Sequence, residues 1–170
     1  MFIPFENLSP QARLWTYQAN RSFSETELVT ITETLHNFVQ HWETHQQPLQ
    51  ASFQILHNRF IVLAIEENYQ AASGCSIDKS VEIMKQLSAK LQIDLFDRLS
   101  INYQENLKEN PKENLPTTWK SAQMTSLKAK ITAKELTEDT IIFNALVQTK
   151  QELVENAFVK ASQTWLKRYF

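Results

Sequence analysis

Apolar and polar positions alternate through Arg13-Leu14-Trp15-Thr16-Tyr17-Gln18-Ala19, with Trp15, Tyr17 and Ala19 set against Leu14, Thr16 and Gln18. That is the period of a half-buried strand. The period then lengthens. Leu28, Ile31, Leu35, Phe38, Val39 and Trp42 recur at helical spacing, which predicts an amphipathic helix over 25–44. Ahead of it, Ser24-Glu25-Thr26-Glu27 has the form of a capping box, in which the Ser24 and Glu27 side chains each take a backbone N–H of the other. After a Gln-rich turn at Pro48, Ala51 to Leu56 alternates Phe53 and Ile55 with Ser52 and Gln54, and His57-Asn58-Arg59 reverses the chain. The pair is read as a hairpin. Its returning strand, Phe60-Ile61-Val62-Leu63-Ala64-Ile65, is apolar throughout, as expected of a central strand covered on both faces. Ile77, Val81, Met84, Leu87 and Leu91 predict a second helix over 77–91, and Leu99 to Tyr103 alternates again.

The order β-α-β-β-α-β over residues 13–103 predicts an α+β protein with a ferredoxin-like sheet, both helices lying on one face. Residues 1–104 are assigned to that domain. Residues 105–117 are polar, carry two prolines and half repeat Lys-Glu-Asn, which reads as a solvated linker or excursion. Residues 118–170 form a C-terminal α/β extension. Within it the spacing predicts a helix over Trp119 to Lys130, a strand over Thr140 to Val147, a capping box at Thr149-Lys150-Gln151-Glu152, and a basic-aromatic helix with Trp165, Leu166, Tyr169 and Phe170. The extension is expected to pack on the core. Whether it covers the bare sheet face is not decided by the pattern; a face left open would make an interaction surface of Phe53, Ile55 and Ile101.

Composition narrows the chemistry. The chain of 170 residues holds one glycine, Gly74, beside its one cysteine, Cys75. A phosphate-binding loop needs two glycines and the dinucleotide fingerprint three, because backbone N–H groups close on phosphates without Cβ interference. Nucleotide hydrolysis by such a loop is therefore excluded. One cysteine forms no intrachain disulfide, and the Cys and His residues offer no four-ligand zinc pattern, so no metal and no cofactor are expected and a reducing, cytoplasmic compartment is the simpler reading. The segment Met1-Phe2-Ile3-Pro4-Phe5-Glu6 lacks a basic start and is broken by proline, unlike a signal peptide, and no apolar run reaches the length of a membrane span. With a net charge of -2 the chain lacks the basic footprint of nucleic-acid binding.

An antiparallel sheet gathers alternate connections at opposite ends. One end is expected to collect Asn20, Arg21, His57, Asn58, Arg59, Asp94, Asp97 and Arg98, bringing together three of the chain's five arginines. Guanidinium groups beside asparagine amides suit a carboxylate or phosphate, which the planar fork binds through two oxygens. The competing reading is that Asp94, Asp97, Glu66 or Glu67 neutralise those arginines as rim ion pairs. The opposite end is expected to collect Ser73, Gly74, Cys75, Ser76 and Asp78 with His41 and His45. A cysteine at a helix N-terminus is favoured as thiolate, and a histidine within reach would complete a nucleophile and base pair. Asp78 opposes that thiolate, and Ser73 or Ser76 is an ordinary N-cap whose presence calls for no chemistry. His41 and His45 stand four apart, but no third ligand is placed to complete a metal set.

Phe2-Ile3-Pro4-Phe5-Glu6, Tyr17-Gln18-Ala19-Asn20-Arg21, Asn58-Arg59-Phe60-Ile61-Val62-Leu63, Ser73-Gly74-Cys75-Ser76-Ile77-Asp78, Asp94-Leu95-Phe96-Asp97-Arg98 and Thr140-Ile141-Ile142-Phe143-Asn144 together resemble a family of short bacterial proteins of unknown function. Members often carry the name "ABC transporter ATPase", although the glycines that name requires are absent here. The chain departs from the family pattern at Phe158-Val159-Lys160, where a proline would follow the valine, and in its Lys-Glu-Asn excursion. The resemblance implies no activity. From the residues, the leading expectation is a binding or interaction module that recognises an anionic small ligand or acidic partner segment at Asn20, Arg21, Asn58, Arg59 and Arg98. The alternative is a thiol-dependent enzyme with Cys75 as nucleophile and His45 or His41 as base.

Overall fold

A strand in which every residue is apolar needs cover on both sides, and Phe60–Ile65 has it. The computed structural model describes residues 1–68, 70–105 and 118–170. Over these the chain forms β1 (Arg13–Gln18), α1 (Glu25–His41), a short hairpin of β2 (Glu43–Thr44) and β3 (Gln47–Pro48), β4 (Ala51–Leu56), β5 (Phe60–Ile65) and α2 (Gly74–Leu91). It continues with β6 (Ser100–Gln104), β7 (Trp119–Gln123), α3 (Leu127–Thr132), β8 (Ile141–Phe143), α4 (Lys150–Asn156) and β9 (Phe158–Lys160). The result is a mixed α+β fold whose sheets are antiparallel.

The first sheet has the order β1-β5-β4. From β5, Ile61, Leu63 and Ile65 point into a cluster with Ile31, Leu35 and Val39 of α1 and Met84 and Leu87 of α2. Phe60, Val62 and Ala64 point the other way, into a second cluster with Phe5, Leu14, Trp119, Phe143 and Leu153. The C-terminal segment therefore covers the face that two helices leave bare. Phe53 and Ile55 pack against the helix-side cluster and Ile101 is buried, so none of the three forms an open face.

A ferredoxin-like order would lay the fourth strand beside β1. Here β6 instead pairs with β7 and β8 in a separate sheet of order β7-β6-β8-β9. Its alternation explains the move. Ile101 and Tyr103 face a third apolar cluster with Leu127, Leu136, Ile142 and Leu166, whereas Asn102 between them turns its side chain to Gln18 of β1. On the outer side of β1 the described residues form single bridges, Gln18 to Phe96 and Arg13 to Thr149. In place of a ladder, the Gln18 side chain donates to the carbonyls of Asp97 and, at 3.0 Å, Ser100, and accepts at 3.0 Å from Asn102 Nδ2.

Several expected elements shift. α1 ends at His41 because Trp42 turns extended and donates its indole N–H to the Ser76 carbonyl at 2.9 Å. α2 starts at Gly74, three residues before the apolar stripe at Ile77. The helix expected over Trp119 to Lys130 is strand β7 up to Gln123, followed by a 3-10 turn and α3, since the edge of β6 and the Arg59 guanidinium capture the backbone of 119–123. The strand expected over Thr140 to Val147 stops at Phe143, where Asn144 Oδ1 takes the Leu146 N–H. The tail is not an α-helix but 3-10 turns at Ala161–Gln163 and Trp165–Tyr169, with Leu166 buried. The linker expected over 105–117 lies, from residue 106 on, outside the described residues; its first residue, Glu105, donates its N–H to the Thr118 carbonyl at 2.9 Å.

Candidate functional site

Backbone hydrogen bonds draw three distant segments together at one end of the first sheet. Ala19 N–H donates to the Arg59 carbonyl at 3.0 Å, Phe23 N–H to Asn58 at 2.7 Å and Asn20 N–H to Asp94 at 3.0 Å. His57 and Asn58 take φ of 51° and 50°, the left-handed central residues of a turn closed by the Arg59 N–H donating to the Leu56 carbonyl at 3.0 Å, within the three-residue connection His57-Asn58-Arg59. Asn20, Arg21, Asn58 and Arg98 are exposed on this rim; Arg59 is 4% exposed.

The arginines have different fates. Arg59 donates from Nε to Ala19 at 3.2 Å, from Nη1 to Trp119 at 2.9 Å, and from Nη2 to the Asn20 carbonyl at 2.9 Å and Ser121 Oγ at 2.5 Å. Ser121 passes its own proton to Asn102 Oδ1 at 2.6 Å, and Asn102 bonds Gln18. Burial pushes the Arg59 pKa down, opposed by the charge of Asp97. Its fork is committed to joining the two sheets and offers little to a ligand. Arg21 grips Glu27 through two bonds of 2.9 and 2.8 Å, and these, with the Ser24 N–H, hold the Glu27 carboxyl at a pKa of about 2. Arg98 has no carboxylate within ion-pair distance among the described residues. The acids that could neutralise it are turned onto backbone amides: Asp94 Oδ1 accepts from Phe96 at 2.8 Å, and Asp97 Oδ1 accepts from Leu99 at 3.1 Å and Ser100 at 3.0 Å. Glu66 accepts from the backbone N–H of Ser9 and Asn68, and Glu67 pairs with Arg13 at 3.2 Å.

At the opposite end Ser73 caps α2, its hydroxyl accepting from Ser76 N–H at 3.3 Å. Ser73 N–H in turn donates to Thr44 Oγ1 at 3.3 Å, and Lys79 pairs with Glu43 at 3.4 Å. These contacts bring the β2–β3 turn, with His45, beside the segment Ser73-Gly74-Cys75-Ser76. Cys75 is exposed and free, and Asp78 is exposed one turn into the helix. Yet Cys75 makes no hydrogen bond with either histidine, and His41 Nδ1 lies 2.9 Å from the Asn37 carbonyl on its own helix. Gly74 has no left-handed backbone, and a Cβ there would meet nothing within 4 Å. Left-handed positions fall instead on His45, Gln46, His57, Asn58, Gln92 and Lys134. Among the described residues no group of three His, Cys, Asp or Glu could hold a metal ion.

The sequence reading missed a cleft of about 600 Å³ lined by Asn144, Leu146, Val147, Glu152, Glu155, Asn156, Val159 and Gln163. It also missed the polar network of Gln18, Asn102 and Ser121. The only hint in the chain was the run of polar residues on one side of Leu99 to Tyr103.

No protein-family model, curated protein or solved structure matches this chain. Among the described residues no helix is long and apolar enough to cross a membrane. The functional reading therefore rests on the geometry of the two rims.

Proposed function

We propose that the protein is a cytoplasmic binding module that takes an anionic small ligand, or the acidic segment of a partner, at the rim formed by Asn20, Arg21, Asn58 and Arg98. Its scaffold is an incomplete ferredoxin-like unit whose fourth strand has left to build a second sheet. The observation that carries the reading is Arg98, an exposed guanidinium that makes no ion pair with a carboxylate among the described residues, while Asp94 and Asp97 each turn Oδ1 onto backbone N–H groups. Such a fork matches a carboxylate or phosphate through paired N–H donors. Asn20 and Asn58 add exposed amide side chains on the same rim, and Arg21 adds positive charge only by sharing Glu27.

The test is a thermal-unfolding screen with phosphate, citrate and acetate at matched ionic strength. A ligand at a hundred times its Kd adds about 2.7 kcal/mol, which raises the Tm of a chain this long by roughly 5–10 °C. Arg98→Ala is expected to keep the unliganded Tm within about 2 °C, as surface substitutions do, and to lose the ligand shift. A flat screen at millimolar anion, or a shift that survives in Arg98→Ala, sinks the proposal.

A further inference from the structure

Strand β4 is the outer strand of the first sheet, and among the described residues its free side is paired beside Ala51 alone. Ala51 N–H donates to the Met1 carbonyl at 3.0 Å and its carbonyl accepts from Ile3 N–H at 2.9 Å, so both backbone groups of Ala51 point away from β5. Backbone direction alternates along an antiparallel strand. Phe53 and Ile55 therefore also aim their N–H and C=O outward, while Gln50 and Leu56, whose carbonyls accept from Glu66 and Arg59, face β5. No described residue pairs with the outward groups of Phe53 and Ile55.

Proteins usually blunt such an edge with lysine, proline, a bulge or a covering segment, because it recruits other strands. This chain does so beside Ala51, with residues 1–3, and on its other outer strands. The outer strands of the second sheet carry Lys120 and Lys160, and the outside of β1 is bridged by Thr149 and Phe96. Ala51-Ser52-Phe53-Gln54-Ile55-Leu56 carries no charge and no proline. Apolar side chains flank the same edge. Phe2, 36% exposed, sits 6.4 Å from the Phe53 ring and 5.0 Å from His36, and Val29, 58% exposed, lies two helical turns before His36 on the same side of α1.

We infer that two copies of this chain pair through their β4 edges about a two-fold axis, joining two three-stranded sheets into one of six antiparallel strands. Residues 1–3 occupy the edge beside Ala51, which sets the axis near Ile55. There Ile55 meets Ile55 of the second copy, and each donates its N–H to the other's carbonyl. A second copy is the occupant the edge is built for, because a neutral strand meets itself without like-charge repulsion and an isologous contact is self-complementary. Phe2 and Val29 are covered as the two α1 helices come alongside.

Sedimentation velocity of the full chain from about 1 to 100 µM, a range set by ordinary dimer affinities, reads the outcome. The expected result is a species of twice the 19.8 kDa chain mass that grows with concentration. Amide exchange should show the Ile55 N–H protected at high concentration and open at low. Ile55→Pro removes an outward N–H without taking a bond from β5, and Val29→Lys charges the flank without touching the sheet; each is expected to weaken association roughly tenfold or more. Val29→Lys keeps the experiment decisive if Ile55→Pro disturbs folding. A chain that stays monomeric at the highest concentration overturns the inference, whatever other strand its edge accepts. So does a dimer that survives both substitutions, or one that leaves the Ile55 N–H unprotected.

Discussion

The lone glycine is the clearest case of a residue whose rarity misleads. Rarity points to Gly74 as a position needing unusual backbone, yet it sits in the first turn of α2 with ordinary helical geometry and free space where a Cβ would go. The positions that do strain an L-residue, such as Gln92 at φ 53° just past the end of α2, carry side chains. Exchanging the two preferences should help twice. Gly74→Ala removes unfolded-state freedom and Gln92→Gly relieves the left-handed cap, each stabilising by about 0.5–1 kcal/mol. Denaturant midpoints check both; a loss at Gly74 would contradict the open space around it. The arginines give the same lesson in reverse. Arg21, Arg59 and Arg98 look alike in the chain, but only the carbonyls of Ala19, Asn20 and Trp119 decide that Arg59 is the buried one.

At the scale of elements, α1 was legible because its signals are local. Ser24 and Glu27 form both halves of the capping box, and Glu27 adds the Arg21 bridge. Because the folded carboxyl titrates at about 2 rather than 4.5, its stabilisation is fully present above pH 4.5 and is lost as pH falls toward 2. Glu27→Gln keeps the cap and removes the charge. The variant should be less stable by about 0.2–1 kcal/mol at neutral pH, the range of exposed ion pairs, with the gap in Tm closing as pH drops from 4.5 to 2. A gap that stays constant through that window would remove the charge from the account. The α4 cap at Thr149 was legible for the same local reason. Strand β7 was not, since nothing within Trp119–Gln123 announces the β6 edge that holds it.

The whole molecule is tied together by contacts that cross between its two sheets. Phe60 of β5 stacks on Phe143 of β8 at 4.0 Å and meets Trp119 of β7 edge-on at 5.0 Å, and the Arg59 guanidinium reaches Trp119 and Ser121 from the hairpin of the first sheet. Such cross-sheet packing couples the two halves. Phe143→Ala should cost about 3–5 kcal/mol, and helical circular dichroism and tryptophan fluorescence should still fall in one transition. Two separate transitions would mean that the C-terminal sheet is an independent unit. By itself the sequence determined the elements whose stabilising groups lie within a few residues: β1, the capped helices, the His57-Asn58 reversal, and the exclusion of a glycine-built nucleotide site. Only the tertiary structure decided where β6 pairs, which sheet face the C-terminal segment covers, and which rim arginine has no ion pair among the described residues. Those outcomes depend on edges, carbonyls and apolar faces contributed from far along the chain, and no local pattern of side chains encodes them.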